Sequence, residues 1–172
     1  MPQIPENVER CWITVVGWSP MAVVNTIWGA CEQDVVPQRV VLLASPDEPA
    51  VQRSVQTVEQ HLRALLPLFG VPNPDIVQRP IDEDDLLGFR RTLAQVLEAE
   101  RKRAEKLVLD TTAGRKYMSA FGLVQGRRTD LKLEKVYYNH LLSQRYIDSP
   151  YPLIPRHEQR LYDLKAMLDG EK

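Results

Sequence analysis

The stretch Cys11–Cys31, CWITVVGWSPMAVVNTIWGAC, decides the fold. Its first part, Cys11 to Val16, is a short apolar run rich in β-branched residues, which is typical of a buried strand. Gly17-Trp-Ser-Pro20 then interrupts the apolar run, and a serine followed by a proline favours the start of a helix. The stretch therefore predicts a strand, a tight turn and a helix from about Pro20 to Gln33, and not a membrane span.

The same alternation of strand and helix continues along the chain. Arg39–Ser45 (RVVLLAS) is apolar nearly throughout, as expected for a strand covered on both faces, and apolar residues at helical spacing follow it. The further predicted strands are 75–79, 106–109 and 131–138, and the further predicted helices are 45–69, 83–104 and 114–125. This order predicts an α/β fold of the Rossmann-like kind, in which a mostly parallel sheet is flanked by helices.

The C-terminal tail is predicted to be a separate element. Three prolines make the segment 146–155 (YIDSPYPLIP) unsuitable for a central strand, and an amphipathic helix is predicted from about Arg156 to Leu168. We therefore expect a Rossmann-like domain over residues 1–140 and a C-terminal helical extension over residues 141–172. The extension is expected to pack on the domain or on a dimer partner.

Composition excludes several classes of protein. The chain has 172 residues and a net charge of -1, so its overall field does not attract long nucleic acid. The two cysteines, Cys11 and Cys31, have neither the spacing of a metal site nor that of a disulfide framework, which favours a reducing compartment. We expect a cytoplasmic protein without a metal ion, a cofactor or a membrane segment.

The loop Gly17-Trp-Ser-Pro20 follows the first predicted strand. Gly17 permits a sharp turn and a close approach of the backbone, and Ser19 stands at a helix start, a place that favours anions. Two interpretations stay open, because Ser19 also suits a purely structural N-cap, which the spacing alone favours. The sequence lacks Gly-x-Gly-x-x-Gly, so a dinucleotide-binding Rossmann enzyme is poorly supported.

A second and richer loop, Asp110-Thr-Thr-Ala-Gly-Arg-Lys116, follows the fourth predicted strand. It places two hydroxyls, a glycine and two cations where a strand becomes a helix. Arg115 and Lys116 are predicted in the first helical turn, where positive charge is unfavourable for the helix dipole and an anion would offset the cost. The alternative is that both are solvated surface charges. The spacing of a nucleotide P-loop is missing.

The segment DTTAGRKYMSA, residues 110–120, resembles the signature of CARF domains, the CRISPR-associated Rossmann-like domains. The loop Gly17–Pro20 resembles the first loop of the same family, and the order of elements agrees from Cys11 to about Tyr138. Ala113 and the Thr-Thr pair depart from the pattern, since other members often carry Gly or Ser there. The resemblance implies a homodimer that binds cyclic oligoadenylate across its two-fold axis, as part of type III CRISPR defence.

The resemblance also implies roles for individual residues. Lys116 would stabilise charge on the phosphorane, Ser19 would position the ribose or phosphate, and these two are the expected catalytic residues. Arg115 would hold a neighbouring phosphate, and Trp18 and Met21 are candidates for stacking on adenine. The expected ligand contacts all lie in the two loops, and they are Gly17, Trp18, Ser19, Pro20, Met21, Thr111, Thr112, Ala113, Gly114, Arg115 and Lys116.

Some stand-alone CARF proteins are ring nucleases, in which a ribose 2′-OH attacks the adjacent phosphodiester without a metal ion. The small size of this chain resembles them, and a ring nuclease acting on cyclic tetra-adenylate is the first hypothesis. No general base is evident, because His61 and His157 are expected on exposed helix faces and His140 lacks an obvious partner. The other hypotheses are a non-cleaving sensor, alone or within a larger effector, and a Rossmann-like enzyme that binds a mononucleotide. A ring of six adenylates also fits a two-fold axis.

Overall fold

A computed structural model of the protein describes residues 8–170, which form one six-stranded sheet in the order β3-β2-β1-β4-β5-β6. The strands are β1 (Val8–Val15), β2 (Arg39–Ala44), β3 (Asp75–Pro80), β4 (Ala104–Asp110), β5 (Leu133–Leu141) and β6 (Gln159–Asp163). The α-helices are α1 (Pro20–Cys31), α2 (Pro49–Leu65), α3 (Leu86–Arg101), α4 (Lys116–Gly126) and α5 (Leu164–Leu168). Strands β1 to β5 are parallel, and β6 is antiparallel to β5. The predicted α/β fold with a mostly parallel, helix-flanked sheet is thereby confirmed.

The central strands are buried on both faces because their side chains alternate between two apolar layers. On one face, Trp12 of β1 packs with residues of α1 and α2. On the other face, Ile13 of β1 packs with residues of α3 and α4. Every residue of β2 is buried, which explains the nearly continuous apolar run in its sequence.

Strand order reverses beside β1. The chain builds β2 and β3 on one side of β1, then crosses to place β4 and β5 on the other side. Thr14 of β1 lies in register with Asp110, the last residue of β4, so these two strands end almost level with each other. Such a reversal leaves a crevice beyond the carboxyl ends of the strands, where ligands of open α/β sheets bind.

The tail differs from its prediction. The helix predicted from Arg156 to Leu168 is wrong: a 3-10 turn at Arg156–Glu158 leads into β6, and α5 is short. The reason is that β5 continues to Leu141 and would otherwise be an open edge of the sheet. Strand β6 forms backbone hydrogen bonds with that edge. Asp163 then ends the strand and caps α5 by accepting from the amides of Lys165 and Ala166 at 3.1 and 3.4 Å.

The other predicted elements are present with shifted ends, and the shifted start of α4 matters for function. Gly114 is not helical, because α4 begins at Lys116 with Arg115 at its N-cap. The predicted division into residues 1–140 and 141–172 stays a prediction, and residues 1–7 and 171–172 of those ranges lie outside the described residues. Within the described residues, no helix is both long and apolar enough to cross a membrane.

A buried ion pair holds the opposite end of the sheet together. Arg39 at the start of β2 donates to both carboxylate oxygens of Glu100 on α3, at 2.8 and 3.0 Å, and also pairs with Asp75 of β3. Arg39 and Glu100 are each 3% exposed. Because both charges are almost entirely removed from water, each depends on its ion-pair partners for stabilisation.

We predict that Glu100→Ala lowers the free energy of unfolding by about 3 kcal/mol, because it leaves the Arg39 guanidinium buried and only partly neutralised. The matched control is Glu98→Ala on the same helix, whose carboxylate pairs with Arg128 at 2.8 Å but is 51% exposed. That exposed pair should contribute less than about 1 kcal/mol. Urea denaturation followed by circular dichroism measures both values, and equal losses in the two variants would contradict this account.

Candidate functional site

Two loops face each other where the strand order reverses. One follows β1 and contains Gly17 and Ser19; the other follows β4 and runs from Thr111 to Arg115. A Cβ atom added to Gly17 would lie 3.5 Å from the backbone nitrogen of Gly114 and 3.8 Å from its Cα. The backbones of the two predicted loops are thus close neighbours.

Gly114 cannot be replaced without strain. Its φ of +95° lies in a region that residues with a Cβ rarely adopt. An added Cβ would also come within 2.9 Å of Val15 Cγ1 and 3.0 Å of Met118 Sδ. The glycine therefore lets the second loop turn sharply over the end of β1 before α4 begins.

A cleft of about 420 Å³ opens over the two loops. Its lining combines backbone, small side chains, one indole and one ion pair, and comprises Gly17, Trp18, Ser19, Ala22, Glu83, Thr112, Ala113, Gly114 and Arg115. Seven of the predicted ligand residues are in this set, and the structure brings them together from two distant parts of the chain. Four predicted ligand residues are outside the set, namely Pro20, Met21, Thr111 and Lys116.

The four residues outside the lining have different surroundings. Thr111 is buried and its hydroxyl donates to the Tyr137 carbonyl at 2.9 Å, so it anchors the loop to β5. Met21 is 6% exposed and lines a neighbouring cavity, whereas Pro20 begins α1. Lys116 is exposed at the start of α4, and it makes no ion pair within residues 8–170.

Arg115 is paired with a residue that the sequence did not single out. Its Nε lies 3.0 Å from Oε2 of Glu83, in the loop after β3, and this hydrogen bond raises the pKa of the guanidinium. The Tyr117 hydroxyl donates to the Glu83 carbonyl at 2.7 Å and fixes the start of α4 to the same loop. The acidic run 82–85 after the third strand was the available signal, since parallel strands end at the same sheet edge.

Trp18 and Ser19 both line the cleft. Trp18 does not pack in the core, because it is 76% exposed, while its carbonyl accepts from the Ser54 hydroxyl at 3.0 Å. Ser19 occupies the N-cap position of α1, but its side chain makes no capping hydrogen bond. Its hydroxyl faces the Ile147 carbonyl of the tail at 3.4 Å instead. Capping therefore does not account for this serine.

Asp110 holds the start of the second loop in place through hydrogen bonds to its buried carboxylate. Its carboxylate is buried and accepts from the backbone amide of Thr112 at 2.8 Å and from the Thr14 hydroxyl at 3.1 Å. The Thr112 hydroxyl in turn accepts from the Thr26 hydroxyl and from the Asn139 amide, at 3.2 and 2.9 Å. Burial raises the pKa of Asp110 to about 6, although the hydrogen bonds from Thr112 and Thr14 oppose the shift.

The histidines lie away from the cleft lining. His61 Nδ1 is 2.8 Å from the Thr57 carbonyl of its own helix, and His157 has a side chain that is 79% exposed. His140 lies on β5, with Nδ1 3.5 Å from the Tyr138 hydroxyl. Among the described residues, no group of three or more His, Cys, Asp or Glu side chains is placed to hold a metal ion.

Comparison with solved structures shows the fold. The chain is similar to Csm6 from Enterococcus italicus bound to cyclic hexa-2′-fluoro-hexa-dAMP, with a TM-score of 0.66 and 13% identity, over 95% of this chain and 44% of that one. It is also similar to protein VC1899 from Vibrio cholerae, with a TM-score of 0.51 and 12% identity, over 75% of this chain and 30% of that one. This chain thus spans less than half the length of either neighbour. No protein-family model and no curated protein sequence matches it.

We predict that Asp110 makes stability fall as the pH rises from about 4 to 7. The unfolded carboxyl has a pKa near 3.8 and the folded one near 6, so the folded state keeps its proton to a higher pH. Asp110→Asn cannot titrate, so wild type should lose about 2 kcal/mol relative to it across this range, at about 1.4 kcal/mol per unit of pKa. Urea denaturation at several pH values tests this, and parallel stability curves would contradict it.

Proposed function

We propose that this protein binds cyclic oligoadenylate in the cleft between the Gly17 and Gly114 loops, across the two-fold axis of a homodimer, and cleaves the ring without a metal ion. The observation that carries the proposal is the apposition of two glycine loops at the strand reversal, with Arg115 and Lys116 at the second loop. The fold likeness supports it, because one similar solved protein, a Csm6, holds a cyclic hexanucleotide analogue. The chain is proposed to be a CARF-domain protein that acts in type III CRISPR signalling.

A two-fold dimer reconciles the ligand's charge with that of the protein. A cyclic tetra-adenylate carries four phosphates, whereas one chain has a net charge of -1. The dimer would present Arg115 and Lys116 twice each, one cation for each phosphate, and each Arg115 would exchange its pairing with Glu83 for a phosphate. Helix starts add donors, because the first backbone N–H groups of a helix have no partner within it. The N-cap residues of α1 and α4, Ser19 and Arg115, line the cleft, although Pro20 at the first position of α1 has no N–H to donate.

Cleavage requires geometry more than acid–base catalysis. The ribose 2′-oxygen attacks the adjacent phosphorus, the bond to the 5′-oxygen breaks, the 2′-hydroxyl proton is lost and the 5′-oxygen gains a proton. The product is a linear oligoadenylate with a 2′,3′-cyclic phosphate end. In this scheme Lys116 stabilises charge on the phosphorane, Ser19 positions the ribose or phosphate, and the exposed Trp18 stacks on an adenine.

A second candidate is a sensor that binds the ring and leaves it intact, alone or as the ligand-binding part of a larger effector. One observation favours it: within residues 8–170, the cleft lining offers no free general base. No histidine lines the cleft, and the carboxylate of Glu83, which does line it, is paired with Arg115. A third candidate is an enzyme that binds a mononucleotide. It would have the same fold as the first two candidates but would not bind the ring. The following two experiments separate the three.

We predict that Lys116→Ala and Arg115→Ala each weaken binding of cyclic tetra-adenylate at least about tenfold, because charge-assisted contacts to phosphate are strong and each is made twice in a dimer. The matched control is Arg127→Ala, an exposed cation at the other end of α4, which should change the dissociation constant less than about twofold. Calorimetric titration with rings of four and of six adenylates measures these effects. Unchanged ring binding in both the Lys116→Ala and the Arg115→Ala variants would favour the mononucleotide enzyme.

We predict that excess protein converts cyclic tetra-adenylate to linear products in the presence of EDTA. A 2′-fluoro ring is the matched substrate control, since it lacks the attacking hydroxyl and should bind without being cleaved. Ser19→Ala and Lys116→Ala should slow the single-turnover rate by about tenfold or more. An adenylate ring that is bound and still intact after prolonged incubation would rule out the ring nuclease and leave the sensor.

A further inference from the structure

Glu83 is the one side chain of the cleft lining, within residues 8–170, that carries a carboxylate. It lies in the loop between β3 and α3, its side chain is 15% exposed, and its Oε2 lies 3.0 Å from Arg115 Nε. Ring cleavage by a 2′-hydroxyl requires that some group takes the proton of that hydroxyl. The position of this carboxylate once a ring is bound therefore bears on the mechanism.

The other polar groups at the cleft are less suited to accept a proton. Asp110 is 2% exposed, and its carboxylate already accepts from Thr112 and Thr14. Ser19 offers a hydroxyl, which itself needs a base for its activation. Among the described residues that line the cleft, Glu83 is therefore the side chain that can act as a base.

The backbone of Glu83 is held in place while its carboxylate has a single partner. The Tyr117 hydroxyl donates to the Glu83 carbonyl at 2.7 Å, and the Tyr117 ring packs edge-on against Phe89, a core residue of α3. Two residues after Glu83, Asp85 caps the start of α3. The carboxylate itself bonds only to Arg115 within residues 8–170. A change of partner at Arg115 therefore moves the carboxylate and leaves the loop in place.

A ring phosphate and the Glu83 carboxylate compete for the same guanidinium. The Arg115 side chain is 56% exposed, so its ion pair with Glu83 is in contact with water and is weak. Arginine binds phosphate through two parallel hydrogen bonds, which are among the strongest in proteins. A ring that reaches Arg115 with its phosphate therefore displaces the carboxylate, which then lies unpaired beside the ligand.

The displaced carboxylate lies beside a ribose. Arg115 and Lys116 are consecutive residues at the start of α4, and in the proposed complex they hold neighbouring phosphates of one ring. A single ribose joins two neighbouring phosphates, so its 2′-hydroxyl lies between the two cations. To attack, this hydroxyl must lie about 3–3.5 Å from the phosphorus at Lys116. Glu83, on leaving Arg115, is the acceptor that the described cleft residues provide for its proton.

Resting on the proposed function, we propose that Glu83 is the general base of ring cleavage and that ring binding activates it by displacing it from Arg115. Glu83 accepts the proton of the 2′-hydroxyl as the 2′-oxygen forms its bond to phosphorus. The bond from phosphorus to the 5′-oxygen breaks, and the 5′-oxygen takes a proton from water. After the linear product leaves, Glu83 gives its proton to water and pairs with Arg115 again. The base is thus held in an ion pair until a ring binds.

The test separates ring binding from ring cleavage in Glu83→Gln, which keeps the size of the side chain and removes its charge. Cyclic tetra-adenylate should bind at least about twofold more tightly, because a weak competing ion pair is lost in each protomer. The single-turnover rate in EDTA should fall about 100-fold, which is the usual loss when a general base is removed. A purely structural role would weaken binding and cleavage together.

Asp84→Asn is the matched control, because Asp84 is exposed in the same acidic loop and lies outside the cleft lining. It should change the affinity and the rate less than about twofold. Glu83→Ala supplies a second measurement, since acetate can occupy the space of the missing carboxylate. Acetate should restore the rate of Glu83→Ala at least about tenfold and leave the rate of Asp84→Asn unchanged.

Cleavage by Glu83→Gln at the wild-type rate would overturn the role of Glu83 and leave the proposed function standing. Weaker ring binding by Glu83→Gln, combined with no effect of acetate on Glu83→Ala, would do the same. A ring that wild type binds and leaves intact would overturn ring cleavage and the role of Glu83 together. Failure of wild type to bind the ring would overturn the whole proposed function.

Discussion

The close approach of the Gly17 and Gly114 backbones is the constraint on which the site depends. It is possible because β1 and β4 are neighbours, run parallel and end level, so that their following loops begin side by side. Both strands are buried in the two-layer core, which fixes their ends and leaves the loops little freedom. Asp110 adds to this by holding Thr112 and Thr14 with one buried carboxylate. The base of the cleft is therefore formed by backbone and by small residues such as Gly17, Ala113 and Gly114, and the charged side chains of Glu83 and Arg115 lie at its edge.

Acidic side chains are concentrated on one side of the cleft. Arg115 lies between the cleft and a neighbouring cavity lined by six acidic side chains, which are Asp47, Glu48, Asp82, Glu83, Asp84 and Asp85. A long RNA strand that crossed this edge of the sheet would bring its phosphates against these carboxylates. A compact ring centred on the two glycine loops would meet only Glu83 of these six, and Arg115 pairs with that carboxylate.

Sequence patterns predicted the parallel sheet and the two loops because the signals are local: apolar runs, a serine-proline helix start, and a glycine between hydroxyls and cations. Strand β6 was missed because it depends on the open edge of β5, a partner distant in sequence. The pairing of Arg115 with Glu83 was missed for the same reason. It joins two loops that are distant in sequence, and no spacing in the sequence encodes it.

The most direct test of the central claim is the stoichiometry of ring binding, from calorimetric titration combined with light scattering of the complex. The account predicts a two-chain complex that binds one cyclic oligoadenylate, so that the titration saturates at half a ring per chain. It also predicts that Lys116→Ala weakens ring binding at least about tenfold without dissociating the dimer, since Lys116 is exposed and makes no ion pair within residues 8–170. Saturation at one ring per chain, or binding by a monomer, would contradict the claim.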